Sequence, residues 1–279
     1  VATLSRGFKR RIKGFVLADA HATANSLGDE PFQYHLDFKD VDVVVCEDRV
    51  KGIEQMLSLL PELQVIVLDD AMQHRPVQPS LNMLITDYNR PFYKDHVMPA
   101  GRLREPRSGA RRADVVIMSK CPPEMTTDEM EQVRGQVKRY TRPDAPVYFS
   151  TFVYGKPVPV GKTVPLPKQV LLLTGIANAE PLKQYLSAQG YTILKHLTFP
   201  DHHNYTSHDL EQVQQLLQQK AYAGTAVLTT RKDAVKLTDT GLRLLTEKLP
   251  VFYVPIEVKF LADGEVFDAL VLEHVQRLV

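Results

Sequence analysis

The stretch VIVLDDAMQH, residues 65–74, is a short apolar run that ends in two adjacent carboxylates, Asp69 and Asp70. Further uninterrupted apolar runs occur at residues 42–46, 81–87 and 113–120. Continuous rather than alternating apolar residues are typical of strands that are covered on both faces, as in a parallel sheet. Helical spacing of apolar residues separates these runs, at 50–60 and 126–140. This alternation predicts a doubly wound, mostly parallel α/β sheet.

The composition of the chain changes near residue 143. Residues 142–168 are rich in proline and carry alternating strand-like residues, which favours a linker with a β-hairpin. Strand and helix patterns then resume, and Ser207 is predicted to cap one of the later helices. We therefore predict a first α/β domain at 1–146, a linker hairpin at 147–168 and a second, smaller α/β domain at 169–279.

The bulk properties of the 279 residues argue against several classes of protein. The formal net charge of +1 offers no electrostatic basis for nucleic-acid binding. Cys46 and Cys121 are too few for a disulfide framework, so we expect both to be reduced and structural. The sequence has no run of about 18 apolar residues that would predict a membrane span.

Chemistry in an open parallel sheet is expected at the carboxyl ends of the strands. Asp69 and Asp70 stand at such a point, and an apolar strand that ends in acids is typical of sites that hold Mg²⁺ beside nucleotide phosphates. Gln73 and His74 would place further polar groups about one helical turn from Asp70. In the alternative interpretation, Asp69 caps the next helix and Asp70 is solvated.

Two further segments carry charged candidates, each with a simpler alternative. GDEP (28–31) places Asp29 and Glu30 in a predicted loop where Pro31 prevents local helix, and ordinary turn chemistry is the favoured explanation. PAGRLREP (99–106) begins a cluster of arginines that suits phosphate binding, or is a basic surface loop.

Two other segments combine basic groups with histidines or aromatic residues. FPDHHNYT (199–206) offers a histidine oriented by Asp201 that could serve as a general base or its helper, or else a pair of surface histidines. LSRGFKRRIKGF (4–15) interleaves basic and apolar residues, as a lipid-contacting surface does, or is a solvated basic loop.

Together these segments resemble a known family, the tetraacyldisaccharide 4'-kinases, or lipid A 4'-kinases, of Gram-negative bacteria. The order of motifs is LSRGFKRRIKGF, GDEP, EDRVKG, VIVLDDAMQHR, MPAGRLREP, GIANAEPL, FPDHHNYT and RKDAVKL. The resemblance covers essentially the whole chain and implies a P-loop-kinase-like first domain. It implies that ATP and Mg²⁺ are used to phosphorylate the 4'-hydroxyl of a tetraacylated disaccharide 1-phosphate, a lipid A precursor, which yields lipid IV A. It also implies peripheral contact with the cytoplasmic face of the inner membrane, with neither nucleic acid nor a protein partner.

The resemblance implies roles for particular residues. Asp29 and His202 would together activate the attacking hydroxyl. The residues implied near Mg²⁺ are Asp70, the strongest candidate, Asp69 and Glu105. Contacts to nucleotide or phosphate are implied for Arg49, Arg104, Gln73 and His74. Contacts to the lipid disaccharide are implied for Ser5, Arg6 and Glu30.

In the family, a membrane helix and a Gly-rich phosphate loop precede LSRG, and we find neither among these residues. VGKT at 160–163 lies in the linker and lacks the leading glycines. The loop's N–H groups, Lys and Thr bind phosphates and Mg²⁺, so we expect these residues alone to be a poor kinase or none. Two alternatives stay open: another P-loop ATPase with a small soluble substrate, and a non-catalytic remnant.

Overall fold

The structure is a computed structural model that describes residues 1–239 and 241–277. The strands are β1 (Ala2–Ser5), β2 (Val16–Leu17), β3 (Asp42–Val45), β4 (Ile66–Leu68), β5 (Met83–Asp87), β6 (Val115–Ser119), β7 (Val147–Tyr154), β8 (Val158–Pro159), β9 (Gln169–Thr174), β10 (Thr192–Thr198), β11 (Ala226–Thr230), β12 (Val251–Val254) and β13 (Ile256–Phe260). The α-helices are α1 (Ala24–Leu27), α2 (Asp29–Asp37), α3 (Arg49–Leu59), α4 (Thr127–Lys138), α5 (Glu180–Ala188), α6 (Ser207–Gln218), α7 (Arg231–Leu237), α8 (Arg243–Thr246) and α9 (Gly264–Gln276). Short 3₁₀ helices lie at Phe92–Lys94, Arg107–Arg112 and Lys220–Tyr222.

The chain forms two compact units, each built from segments that are distant in the sequence. The first unit comprises Val1–Val67 and Tyr154–Ile256, and the second comprises Leu68–Val153 and the chain from Glu257 onward. The two units are defined by contacts within the folded chain. Each unit therefore combines segments that the division predicted from the sequence assigns to different domains. The predicted domain boundaries stay a prediction.

The first unit contains a sheet with the strand order β2-β3-β1-β4. β1 and β3 are parallel, with Ser5 paired to Val45, whereas β2 runs antiparallel to β3. Val43 and Val45 of β3 are buried and pack in one cluster with Leu27 of α1 and Phe32 of α2. Val235 of α7 joins the same cluster, so the amino-terminal helices and α7 share one core.

The first unit also contains a sheet with the strand order β10-β9-β11-β12-β8. β10, β9, β11 and β12 are parallel to their neighbours, and β8 is antiparallel at the edge. β10 lies on one side of β9 and β11 on the other, so the order of strands reverses between β9 and β11. Open α/β sheets bind ligands in the crevice at the carboxyl ends of such strands. In this sheet those ends are Thr174 and Thr230.

The second unit contains a sheet with the strand order β13-β7-β6-β5, in which β5, β6 and β7 are parallel. Alternate residues of β6 enter different apolar clusters: Val116 and Met118 pack into one, and Val115 and Ile117 into another. Burial on both faces explains why this strand is continuously apolar. The mostly parallel α/β fold predicted from the sequence is therefore confirmed.

The β-hairpin predicted for the linker is not formed, because β7 and β8 belong to different sheets. β8 pairs antiparallel with β12, whereas β7 pairs parallel with β6. Val147 and Phe149 of β7 are almost fully buried in their sheet. An isolated two-stranded hairpin could not provide that burial, so pairing with a distant strand prevails over the local turn signal.

Three smaller expectations can be compared with the described residues. The residue that caps α6 is Thr206 rather than Ser207, because the Thr206 side chain accepts a hydrogen bond from the Asp209 N–H. Cys46 and Cys121 are buried free thiols, and burial raises the pKa of Cys121 to about 11. Within the described part of the chain, no helix combines the length and apolar character needed to cross a membrane.

Candidate active site

Asp29 lies at the start of helix α2 rather than in a loop. Gly28 precedes it with φ 95°, a left-handed conformation that favours glycine, and a Cβ here would come within 3.0 Å of the Phe8 carbonyl oxygen. The loop predicted for GDEP is wrong because Pro31 falls in the first turn of α2, where N–H groups have no intrahelical acceptor. Asp29 and Glu30 are then first-turn acids, which the helix dipole stabilises.

Asp29 and His202 are in direct contact within the first unit. Nδ1 of His202 lies 3.1 Å from Oδ2 of Asp29, although 173 positions separate the two residues in the sequence. Only 14% of the Asp29 side chain and 19% of the His202 side chain are exposed. The Phe8 ring packs edge-on against the imidazole, with 5.8 Å between ring centroids. The structure thus brings together the two residues for which the resemblance implied a shared role.

Two lysines of helix α7 surround this pair. Nζ of Lys236 lies 2.8 Å from Oδ2 of Asp29, and only 4% of the Lys236 side chain is exposed. Nζ of Lys232 lies 3.2 Å from Nε2 of His202 and 3.4 Å from a carboxylate oxygen of Glu30. Asp29, His202, Lys232 and Lys236 are called the Asp–His–Lys cluster below.

Hydrogen bonds from the ends of β9 and β11 hold the backbone of His202. His202 has φ 61°, in the left-handed region that is uncommon for residues other than glycine. Its N–H donates to the carbonyl oxygen of Gly175 over 3.2 Å. The Gly175 N–H donates over 3.0 Å to Oδ2 of Asp233, which is fully buried and also accepts from the Thr230 hydroxyl. The cluster therefore lies at the switch point of the sheet, in a strained backbone typical of functional sites.

A second group of predicted residues lies in the other compact unit. Asp70, with φ 46°, follows β4, and its Oδ2 lies 2.9 Å from Nη1 of Arg104. Both side chains are more than half exposed, so this ion pair contributes little to stability and stays accessible to a ligand. The segment after Asp70 forms turns rather than a helix, so the helical spacing assumed for Gln73 and His74 is wrong.

Glu105 is held by arginines on both of its carboxylate oxygens. Oε1 lies 2.5 Å from Nη2 of Arg112, and Oε2 lies 3.1 Å from Nη2 of Arg75. The Gln73 amide nitrogen lies 3.5 Å from Oε1. Burial alone would raise the pKa of Glu105, but the hydrogen bonds from the two guanidinium groups lower this pKa below its ordinary value. Glu105 therefore anchors the arginine-rich segment to the turn that follows Asp70.

The predicted metal ligands can be compared with the needs of Mg²⁺. Within residues 1–239 and 241–277, no three His, Cys, Asp or Glu side chains form a group that could hold a metal ion. Mg²⁺ is nevertheless usually bound through one or two carboxylates together with substrate phosphates. Asp69 and Asp70 supply adjacent carboxylates, whereas the oxygens of Glu105 are occupied by guanidinium groups. The donor chemistry therefore fits Mg²⁺ at Asp69 and Asp70 better than at Glu105.

The remaining predicted residues differ widely in exposure. Arg49 is buried, and its Nη1 donates over 3.1 Å to the carbonyl oxygen of Cys46. Ser5 is buried at the end of β1, whereas Arg6 beside it is exposed. His74 of the second unit is half-buried. Arg49 thus supports the backbone after β3, and its contact with phosphate stays a prediction.

The basic segment 4–15 is folded rather than uniformly solvated. Arg10 is buried and forms an ion pair of 2.8 Å with Glu47. Burial alone would raise the pKa of Glu47, but the hydrogen bonds from Arg10 and from backbone N–H groups lower it. Phe8 and Ile12 are 61% and 51% exposed. The segment therefore presents apolar and basic side chains together.

The fold and these two groups of side chains define a class of enzyme. Parallel α/β sheets with carboxylates and arginines near the strand ends are typical of phosphotransferases, because arginine binds phosphate and carboxylates hold Mg²⁺ or accept a proton. The model of one family, LpxK or tetraacyldisaccharide-1-P 4'-kinase, matches residues 1–276. The chain belongs to this family.

Individual relatives agree with the family match. The chain is 40% identical to the tetraacyldisaccharide 4'-kinase of Phocaeicola vulgatus, over 99% of this chain and 78% of that protein. It is 41% identical to the tetraacyldisaccharide 4'-kinase of Cytophaga hutchinsonii, over 95% of this chain and 74% of that protein. The crystal structure of "apo" form LpxK from Aquifex aeolicus in complex with ATP superposes with a TM-score of 0.71 and 26% identity, covering 98% of this chain and 78% of that one.

The sequence motifs predict no role for Lys232 and Lys236. Both belong to the segment RKDAVKL, which forms helix α7. Residues four positions apart lie on the same side of a helix, so the spacing already indicated a two-lysine face. The sequence contained no signal that this face is directed at Asp29 and His202, because that depends on how α2 and α7 pack.

Proposed function

We propose that this protein transfers the terminal phosphate of ATP to the 4'-hydroxyl of a tetraacyldisaccharide 1-phosphate, and that Asp29 accepts the proton of that hydroxyl. As a member of its family, the protein is a kinase that acts on a lipid disaccharide. The assignment of residues rests on the 3.1 Å contact between Asp29 and His202. The match to a structure in complex with ATP supports ATP as the donor.

The contacts of Asp29 leave one of its oxygens for the substrate. Among the described residues, its hydrogen bond with His202 and its ion pair with Lys236 both involve Oδ2. Oδ1 is then the atom that accepts the hydroxyl proton, while His202 orients the carboxylate. Phosphoryl transfer passes through a loose transition state, so the positioning of the attacking oxygen contributes much of the rate acceleration, beside the removal of its proton.

We place phosphate and magnesium binding at the group of residues around Asp70. Asp69 and Asp70 would hold Mg²⁺, and Arg104, whose side chain is 58% exposed, can reach a phosphate oxygen. When bound, the ion would neutralise charge that develops on the transferred group. Glu105 would act indirectly, by holding Arg75 and Arg112 in place.

We further propose that segment 4–15 contacts lipid at the cytoplasmic face of the Gram-negative inner membrane. Its exposed Phe8 and Ile12 can enter the acyl region while exposed Lys9 and Arg11 meet anionic headgroups. The Phe8 ring also touches His202. Lipid contact at this segment would thus lie beside the proposed proton acceptor, which suits a substrate with acyl chains attached to its sugars.

The proposal is tested by following ATP-dependent 4'-phosphorylation of the tetraacyldisaccharide 1-phosphate by thin-layer chromatography, with the natural full-length protein. Asp29→Asn should lower kcat by about 100-fold or more, because a proton acceptor is lost while shape is preserved. Asp40→Asn alters an exposed acid in the turn after α2 and should leave kcat unchanged. Turnover of a soluble sugar in place of the lipid would contradict the substrate, and full activity of Asp29→Asn would contradict the role of Asp29.

A further inference from the structure

Lys232 occupies the side of the His202 imidazole that is remote from Asp29. Its Nζ lies 3.2 Å from Nε2 of His202, 3.4 Å from Oε1 of Glu30 and 3.7 Å from Oδ1 of Asp201. Two carboxylates therefore hold the ammonium group against the ring. Only 24% of the Lys232 side chain is exposed, so the group is also partly shielded from solvent.

The chemistry of the neighbouring groups decides which ring nitrogen carries a hydrogen. A lysine ammonium group only donates hydrogen bonds, so Nε2 of His202 must accept. The ionised carboxylate of Asp29 only accepts, so Nδ1 must carry the hydrogen and donate to it. A neutral imidazole with its hydrogen on Nδ1 satisfies both contacts, and an imidazolium satisfies only one.

We propose that Lys232 is a positioning residue that keeps His202 neutral, with the hydrogen on Nδ1; the inference rests on the function proposed above. The charged groups around the ring are Asp29 and Glu30 of α2, Asp201 of the adjoining loop, and Lys232 and Lys236 of α7. Asp201 approaches Nε2 only to 3.9 Å, which is beyond hydrogen-bond distance. It therefore does not displace Lys232 from Nε2.

The protonation of His202 matters because it sets the charge beside Asp29. Without Lys232, the carboxylates of Asp29 and Asp201 would favour a hydrogen on both ring nitrogens. Asp29 would then face two cations, the imidazolium and Lys236. Both would stabilise the carboxylate and weaken its tendency to take a proton from the substrate hydroxyl. A neutral His202 orients Asp29 through one N–H donor without adding that second charge.

The inference is tested by nitrogen-15 NMR of the His202 ring in the full chain at neutral pH, with neither ATP nor lipid present. The wild-type protein should show a protonated Nδ1 and an unprotonated Nε2. In Lys232→Met the fraction with both nitrogens protonated should rise, whereas Lys232→Arg, which retains a donor-only cation, should resemble wild type. Identical ring signals in wild type and Lys232→Met, or a hydrogen on Nε2 in the wild type, would overturn the inference.

Turnover provides a second measurement. Lys232→Met should lower kcat about tenfold and change KM for the lipid less than about twofold, because ring protonation affects the reacting state rather than binding. Lys232→Arg should recover most of kcat, and Lys248→Met, at an exposed lysine outside the Asp–His–Lys cluster, should have no effect. If circular dichroism shows that Lys232→Met does not fold, the inference is judged from the His202 ring signals of the wild type, where a hydrogen on Nε2 would contradict it.

The two experiments separate the inference from the proposed function. If Asp29→Asn is fully active but the His202 ring signals are as expected, the role proposed for Asp29 is wrong and the inference about the protonation of His202 is retained. If Asp29→Asn is inactive but the His202 ring signals are the same in wild type and Lys232→Met, the inference about Lys232 is wrong and the proposed function is retained.

Discussion

Asp29 receives both of its cluster partners at the same carboxylate oxygen. His202 lies 3.1 Å and Lys236 lies 2.8 Å from Oδ2. A carboxylate held in this way has little rotational freedom, so its other oxygen keeps a defined direction. Loss of His202 should therefore disturb the orientation of Asp29, and loss of Asp29 should leave His202 without its acceptor.

A double-variant cycle tests this dependence. Asp29→Ala and His202→Ala should each lower kcat, by about 100-fold or more. The double variant should lose less than the product of the two separate losses, because residues that act as a unit are not additive. Steady-state kinetics of the four proteins provides the measurement.

In the control cycle, His21 is changed to alanine and His202 is left intact. His21 is an exposed histidine of the same unit. Asp29→Ala combined with His21→Ala should behave as Asp29→Ala alone. Losses of Asp29 and His202 that multiply in full would show that the two residues act independently, despite their contact.

The amino terminus of α6 shows how one element is tied to the site. Thr206 and Asp209 form a reciprocal cap, in which Oδ2 of Asp209 accepts from the Thr206 N–H over 2.7 Å. Nε2 of His203 lies 3.1 Å from the same oxygen, so the helix start is linked to the loop that carries His202. Burial alone would raise the pKa of Asp209, but hydrogen bonds from His203 and Thr206 lower it.

Asp209→Asn should lower the free energy of unfolding by about 1 kcal/mol at neutral pH, as the loss of a helix cap does. The pKa of Asp209 is lowered from 3.8 in the folded protein, so its stabilising effect is complete above that pH and is lost as the pH falls through the folded-state value. The difference between wild type and variant should therefore shrink as the pH falls below 3.8. Denaturant unfolding of both proteins at neutral and at acidic pH measures this difference in the free energy of unfolding.

The control for this experiment is Glu211→Gln, on the exposed face of the same helix. It removes a carboxylate without touching the cap, so it should change stability little at either pH. A difference between wild type and Asp209→Asn that stays constant down to acidic pH would contradict the role given to the Asp209 charge.

The helices also show where prediction from sequence succeeds. α3 and α4 begin within one residue of their predicted starts, because apolar spacing and the Thr126 cap are local signals. The sequence does not predict α2, because GDEP has the composition of a turn. Phe32 of α2 is buried against residues of β3 and α7, and that distant core stabilises a helix that local propensity disfavours.

For the molecule as a whole, the net charge of +1 gives no general attraction to an anionic surface. The membrane contact proposed above would therefore depend on a local feature, and segment 4–15 is the candidate. Arg10 is engaged with Glu47, whereas Lys9, Arg11 and Lys13 are exposed beside Phe8 and Ile12. Binding to lipid should thus depend on a few side chains rather than on overall charge.

Phe8→Ser combined with Ile12→Ser should weaken binding of this chain to anionic phospholipid vesicles about tenfold or more. Burial of a large apolar side chain contributes about 1.5–3 kcal/mol, so even partial insertion of two such side chains has this effect. Vesicle co-sedimentation measures the binding. Added salt should weaken the residual vesicle binding of this variant, because salt screens the exposed charges.

Leu244→Ser provides the comparison, because Leu244 is 73% exposed on α8, outside the segment. It should bind vesicles as the wild type does. An equal loss in Leu244→Ser, or no loss in the Phe8 and Ile12 variant, would show that segment 4–15 is not the lipid-contacting surface.

The family resemblance, which rests on the order of short segments, implies roles for Asp29, Asp70 and His202. The structure brings Asp29 and His202 into contact. The buried positions of Arg10 and Arg49 could not be read, because an arginine in a basic or polar segment looks the same whether it faces solvent or supports the backbone.

The amino-acid sequence is sufficient to predict the class of fold and, through resemblance, the family, because apolar periodicity is a local property and the order of motifs is visible along the chain. Three features became visible in the folded chain and not before: Lys232 and Lys236 surround Asp29 and His202, two arginines hold Glu105, and β7 and β8 belong to different sheets. Those contacts join residues far apart in the chain. They follow from the burial of apolar faces of α2, α7 and the strands, and no local pattern specifies them.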